Sequence, residues 1–152
     1  MSRQIPNLSV PVPSLVEKRL KEAENFIGYR FNFQFLVGRS ELFPNKRDYA
    51  FCHYDPHTKM ISIVVSPKFL TASFGRQDGV LRHELGHAID FTMPAEQLEK
   101  LAKKHKIVLS SSQERKADDI AKMVWGSPLL YDQDLVQHTT IGVQPRPRHL
   151  GN

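Results

Sequence analysis

His83-Glu84-Leu85-Gly86-His87 is the stretch of this chain from which most can be inferred. In a helix, residues four positions apart lie one above the other on the same face, so His83 and His87 can present their rings to one metal ion. Imidazole nitrogens are common ligands of Zn²⁺. Glu84 would then stand close enough to reach a water molecule held by that ion.

This spacing is the H-E-x-x-H pattern, in which the metal lowers the pKa of its water and the glutamate takes up the proton. The flanking sequence favours a helix, because apolar residues recur at helical spacing: Val80, Leu81, Leu85, Ala88 and Ile89. Glycine is less favourable than alanine within a helix by about 1 kcal/mol. Its presence at position 86 is explained if the backbone of another element packs against the helix there. We therefore predict a catalytic zinc site on a helix that begins after Ser73.

A catalytic zinc ion usually has three protein ligands and a water molecule, so a third ligand is needed. Glu114 and Asp118 lie four residues apart in a segment whose pattern predicts a second helix over 113–125. We predict that Glu114 binds the metal and that Asp118 accepts a hydrogen bond from the other ring N–H of a ligand histidine. The small residues Ala117 and Ala121 would let this helix approach the first one closely.

Alternatives for the third ligand stay open. Ser111 and Glu114 have the spacing of a capping box, so Glu114 can instead serve the start of the helix. Asp118, Asp119 and His105 are the other candidate ligands. His105 is the least suited, because it lies among lysines whose positive charge would disfavour a cation.

Further helices are predicted on both sides of the motif. Apolar residues at helical spacing predict an amphipathic helix over 14–27, with Ser14 and Glu17 as a capping box. A charged helix is expected over 95–106, and a short helical piece over 132–138.

Three strands are predicted between the first helix and the motif. Residues 31–35 alternate phenylalanine with polar residues, which is the period of a half-buried strand. Strands are also expected over 49–54 and 60–65. The turn-forming sequence at 55–58 separates these two, so they should form a hairpin.

The string from His83 to His87, followed by Glu114-x-x-Ala117-Asp118, resembles the gluzincin metallopeptidases. Its second part is similar to that of small intracellular ImmA/IrrE-type peptidases, and His-Glu-Leu-Gly-His-Ala-Ile-Asp is similar to the active helix of the anthrax lethal factor-like group. The resemblance covers about residues 60–125.

The resemblance implies an α+β, minimal zincin-like fold. A small antiparallel or mixed sheet of about three strands would pack against the motif helix and the helix of the third ligand, with the N-terminal helix in addition. It also implies that the strand over 60–65 is an edge strand to which an extended substrate adds by backbone hydrogen bonds. The alternative is that these residues form a core strand.

The function expected from this site is that of a zinc-dependent endopeptidase, in which a metal-activated water attacks the peptide bond and Glu84 is the general base. A further donor should stabilise the oxyanion; the candidates are Tyr131, His138, Tyr54 and His53. The alternative is a non-catalytic zincin-fold module that binds a protein or nucleic-acid partner. An intact Glu84 beside both histidines argues against it, because a binding module has no use for a general base.

The composition is ordinary for one globular domain: 152 residues, 40% hydrophobic and 24% charged. We expect an extended arm over 1–13, a single metallopeptidase domain over 14–140 and an extended tail with prolines and arginines over 141–152. The single cysteine, Cys52, excludes an internal disulfide and is expected to be a small buried hydrophobe.

The net charge of +5 permits a nucleic-acid partner. The basic residues are spread along the chain, however, and no stripe combines them with aromatic residues, so we expect a protein or peptide substrate instead. The polar N-terminus lacks the apolar core of a signal peptide, and no apolar run has the length of a membrane span. These features predict a cytoplasmic protein with no membrane partner.

Overall fold

The computed structural model describes residues 3–4, 11–43 and 49–126 of the chain. The elements in chain order are β1 (Arg3–Gln4), α1 (Pro11–Ile27), β2 (Asn32–Val37), a 3₁₀ turn (Ser40–Leu42), β3 (Ala50–Asp55), β4 (Met60–Val65), α2 (Pro67–Leu70), α3 (Phe74–Thr92), α4 (Ala95–Lys104) and α5 (Gln113–Trp125). The predicted α+β class is confirmed for these residues. The helical piece expected over 132–138, the tail over 141–152 and most of the arm over 1–13 lie outside them.

Within the described ranges the strands form one mixed sheet, in the order β1-β2-β4-β3. β1 and β4 both run parallel to β2, whereas β3 is antiparallel to β4, with Cys52 opposite Ile63. The predicted hairpin is therefore confirmed. The Asp55 carboxylate supports its turn by accepting a hydrogen bond of 2.9 Å from the N–H of His57. None of the described helices combines the length and the apolar character that crossing a bilayer requires.

The expectation that residues 60–65 form an edge strand is wrong. β4 lies between β2 and β3 and has a hydrogen-bonded neighbour on each side. Five of its six residues are buried. Residues on both faces of β4 are buried. Its sequence is therefore an apolar, largely β-branched run that only Ser62 interrupts, with little alternation. β3 is instead an edge strand, and no described strand pairs with its outer side.

The core lies between one face of the sheet and the helices. The phenylalanines Phe31, Phe33 and Phe35 are buried on this face, as the period of two predicts, while Asn32 and Gln34 point to the other face. The helices α1, α3 and α5 supply the opposing apolar side chains, which include Leu20, Leu85 and Ile120. The described residues thus form two packed layers, with the helix of the His83–His87 motif against the sheet.

The first helix begins at Pro11 and not at Ser14, so the capping box predicted at Ser14 is wrong. The reason is that proline suits the first turn of a helix, where no backbone N–H is needed and its fixed φ is already helical. The predicted end is confirmed, because Ile27 is the last helical residue. Gly28 follows with φ +87°, the conformation that commonly ends a helix.

The backbones of α3 and α5 are close to each other at Gly86 and Ala117. A Cβ atom built on Gly86 would lie 2.9 Å from the carbonyl carbon of Ala117 and closer still to its oxygen. No side chain fits there unless one helix moves. Both expectations are confirmed: another backbone packs against Gly86, and the small side chain of Ala117 allows the approach.

A buried ionic network joins α1, α3 and α5. Asp78 of α3 accepts hydrogen bonds of 2.7 and 3.1 Å from Arg19 and of 3.2 and 3.0 Å from Arg82. Arg19 also donates to Glu22 at 2.6 Å, and Glu22 accepts a bond of 2.7 Å from Trp125. Because leaving the buried Asp78 unpaired would be costly, these bonds favour the observed packing of α1 on α3, and the bond from Trp125 adds α5.

We expect Gly86→Ala to lower the free energy of unfolding by about 1–3 kcal/mol, which is typical of overpacking. The clash with the Ala117 carbonyl should exceed the gain of about 1 kcal/mol from the better helix former. Urea unfolding measures the change. Gly75→Ala is the control in the same helix, because a Cβ there meets no atom within 4 Å. Equal stability of the two variants would contradict the close approach.

Candidate metal centre

The motif lies on α3, which begins directly after Ser73 as predicted, and Ser73 caps it. Ser73 accepts a hydrogen bond of 3.2 Å from the backbone N–H of Arg76. His83 and His87 follow near the middle of this helix, and both side chains are fully buried. Their rings meet edge to face, with centroids 4.8 Å apart and planes at 88°. The i, i+4 spacing therefore brings the two rings together, as expected.

One oxygen of Glu114 lies close to both histidines. Its Oε1 is 2.9 Å from Nε2 of His83 and 3.3 Å from Nε2 of His87. Glu114 belongs to the first turn of α5, whose N-cap is Ser112. The alternative in which Glu114 forms a capping box with Ser111 is therefore wrong, and its carboxylate is directed at the two rings.

These three side chains are the group of candidate metal ligands within the described residues, and their ligand atoms all lie within 4.8 Å of one another. In a tetrahedral site with ligand atoms about 2.0 Å from zinc, two ligand atoms are about 3.3 Å apart. Both distances to the Glu114 oxygen are near that value. Two imidazoles and a carboxylate are also a ligand set that catalytic zinc sites use. The three residues could therefore hold a metal ion, and their donor atoms are of the types that zinc takes.

The charge states of the group also suit a cation. Burial lowers the pKa of His87, so its ring is neutral and able to bind a metal near pH 7. Burial alone would raise the pKa of Glu114, but the hydrogen bonds with His83 and His87 outweigh it and lower this pKa. At neutral pH the Glu114 carboxylate is thus negatively charged and lies beside the neutral imidazole of His87.

Glu84 is fully buried, as is Cys52 of β3. Burial raises the pKa of the Cys52 thiol well above its usual value, and the negative charges of Glu84 and Glu114 raise it further. The two carboxylates therefore act electrostatically on the same buried thiol. Cys52 is buried, as predicted, and its raised pKa keeps the thiol protonated.

Two of the alternative ligands lie elsewhere. Asp119 accepts a hydrogen bond of 2.9 Å from the backbone N–H of Ser110. His105 ends α4 and packs against Phe26, with ring centroids 5.1 Å apart. Asp118 is half-buried on α5, one turn after the glutamate ligand. Its role as a hydrogen-bond partner of a ligand histidine stays a prediction.

Phe91 is a neighbour of the ligand group that the sequence patterns did not reveal. Its ring stacks on His87, with centroids 6.0 Å apart and planes at 18°. On α3 it stands four residues after His87, and this spacing is the signal that could have identified it. Tyr54 of β3 stacks on Phe91 in turn, at 6.0 Å and 15°.

Of the four candidates for stabilising an oxyanion, Tyr131 and His138 lie outside the described residues. Tyr54 is half-buried, and its ring is connected to the ligand group through Phe91. His53 follows Cys52 on β3, so its side chain points to the face of the sheet opposite the ligand group. Its predicted role is therefore not favoured by this placement.

Comparison of the chain with family models, with curated proteins and with solved structures finds no match. The likeness to gluzincin peptidases thus depends on the motif residues alone and stays a prediction. The convergence of the three side chains is an independent observation, because it follows from the packing of α3 against α5.

Replacing Glu114 by alanine should lower zinc affinity more than about 100-fold, because changes outside the coordination shell already lower it about 10–100-fold. Zinc content after dialysis, measured by elemental analysis, tests this expectation. Asp119→Ala is the control, because it removes a carboxylate of the same helix that is engaged with Ser110. Equal zinc content in the two variants would mean that the third ligand is another residue.

Proposed function

We propose that this protein is a zinc-dependent endopeptidase. The observation that carries the proposal is the convergence of His83, His87 and Glu114, with the buried Glu84 directly after the first histidine. A metal-binding group alone would suit many functions. A buried glutamate in this position supplies a general base, which a purely structural metal site does not need.

The same proposal includes a minimal zincin-like fold of the gluzincin type. In its support, the chain runs from a small sheet to a helix with two histidines and then to a helix with a glutamate. The close contact of the two helices at Gly86 and Ala117 brings these ligands within reach of one another.

In the proposed reaction each residue has a separate role. Zinc, when bound, lowers the pKa of a water molecule to about 7 and polarises the substrate carbonyl. His83, His87 and Glu114 would hold the metal. Glu84 would accept the proton of the attacking water and pass it to the leaving amine.

A peptide substrate would add to the sheet along β3. β4 is excluded from this role, because both of its sides are already paired. The outer side of β3 pairs with no strand in the described part of the chain, and Tyr54 of this strand is connected to His87 through the ring of Phe91. An extended peptide on this edge would gain backbone hydrogen bonds and pass beside the ligand group.

Replacing Glu84 by glutamine should leave zinc bound but slow peptide hydrolysis by about 10²–10⁴-fold, the usual contribution of a general base. The amide has the size of the carboxylate and cannot take up the proton. Digestion of casein or of a peptide library by the zinc-loaded protein, with and without a chelator, measures the loss.

The control for this variant is Glu96→Gln, which changes an exposed glutamate of α4 and should retain full activity. Full activity in Glu84→Gln would refute the role of this residue as the base. If the zinc-loaded natural protein hydrolysed none of the peptides, the proposal of a peptidase would fail and a non-catalytic binding module would be favoured.

A further inference from the structure

We propose that Phe91 is a positioning residue, which holds the imidazole of His87 in its metal-binding orientation by ring packing. The inference rests on the metal site proposed above. A metal-binding histidine almost always donates its second ring N–H to a carboxylate, a carbonyl or a water molecule, and this bond fixes the ring. His87 departs from that rule. Its Nδ1 is buried and has no hydrogen-bond partner in the described part of the chain.

The packing around the ring supplies the missing restraint. Phe91 packs against the imidazole in the near-parallel, offset arrangement described above. The His83 ring meets the same imidazole at 88°. Rotation of the His87 ring about its Cβ–Cγ bond would break the stack with Phe91 and turn Nε2 away from Glu114, 3.3 Å distant.

Phe91 is itself held in place by β3. Tyr54 stacks on it from that strand, so the ring of Phe91 lies between a ligand of α3 and the edge of the sheet. The hydroxyl of Tyr29 is hydrogen-bonded at 2.8 Å to Thr92, the residue that follows Phe91. The end of α3 is therefore anchored next to the stack, which keeps the position of Phe91 constant.

This arrangement has a consequence for the proton of His87. A neutral imidazole that binds a metal through Nε2 carries its proton on Nδ1. Here that N–H would be buried without an acceptor among the described residues, and an unpaired buried donor is unfavourable. At Nδ1 no hydrogen bond to the described residues then resists rotation of the ring, and packing against Phe91 supplies the restraint on that side of the imidazole.

The test compares zinc binding and the Co²⁺ absorption spectrum of three Phe91 variants with those of the natural protein. Phe91→Leu and Phe91→Met remove the aromatic ring but retain an apolar side chain. We expect each to weaken zinc binding by about 10-fold or more, as loss of an orienting partner does, and to shift the d–d bands of bound Co²⁺. Phe91→Tyr keeps the ring and should restore both properties.

Phe26→Leu is the matched control, because Phe26 is also a half-buried phenylalanine that packs on a histidine, His105, away from the ligand group. It should lower the melting temperature of the metal-free protein about as much as Phe91→Leu but leave zinc affinity and the Co²⁺ spectrum unchanged.

An unchanged spectrum and unchanged zinc affinity in both Phe91→Leu and Phe91→Met would overturn the inference, as would equal weakening of zinc binding by Phe26→Leu. In these cases zinc binding by the natural protein would persist and the proposed function would stand. If the natural protein bound no zinc, both would fall.

Discussion

The contact between the backbones of α3 and α5 is the constraint on which the candidate site depends. Gly86 stands between His83 and His87, and the residue that it touches, Ala117, is on the same helix as Glu114, one turn later. A glutamate side chain is short, so its oxygen reaches two rings on a neighbouring helix only if the helices almost touch. A side chain at position 86 would increase the separation of the helices, and the distances of 2.9 and 3.3 Å to the rings could not both be kept.

Features that depend on neighbours in sequence could be predicted well. The start of α3 after Ser73 and the end of α5 at Trp125 are set by local hydrogen bonds and local backbone conformation. The buried face of β2 follows from a period of two. Both histidines could be predicted to lie together because the i, i+4 spacing of H-E-x-x-H places them by helix geometry alone. Glu114 could be predicted because it lies in a second helical pattern with small residues that allow close packing.

Features that depend on the assembled molecule could not be predicted in the same way. A run of β-branched residues such as 60–65 has the same sequence signal in any strand with two covered faces, so its neighbours in the sheet cannot be read from it. The stack of Tyr54 on Phe91 joins residues of different elements, and nothing in either local sequence indicates it. The choice of Ser112 over Ser111 as the N-cap depends on one residue within a run of three serines, where both have suitable side chains.

The balance of charge around the motif also supports a divalent cation as the ligand of this site. Burial of carboxylates is unfavourable unless positive charge is near, and the Glu114 side chain is only 14% exposed. Two cationic side chains next to the motif are engaged with other carboxylates: Arg82 pairs with Asp78 at 3.0 Å, and Lys116 with Asp90 at 3.4 Å. A divalent cation at the point shared by the histidine nitrogens and the Glu114 oxygen would offset the charge of this carboxylate, whereas a neutral ligand would not.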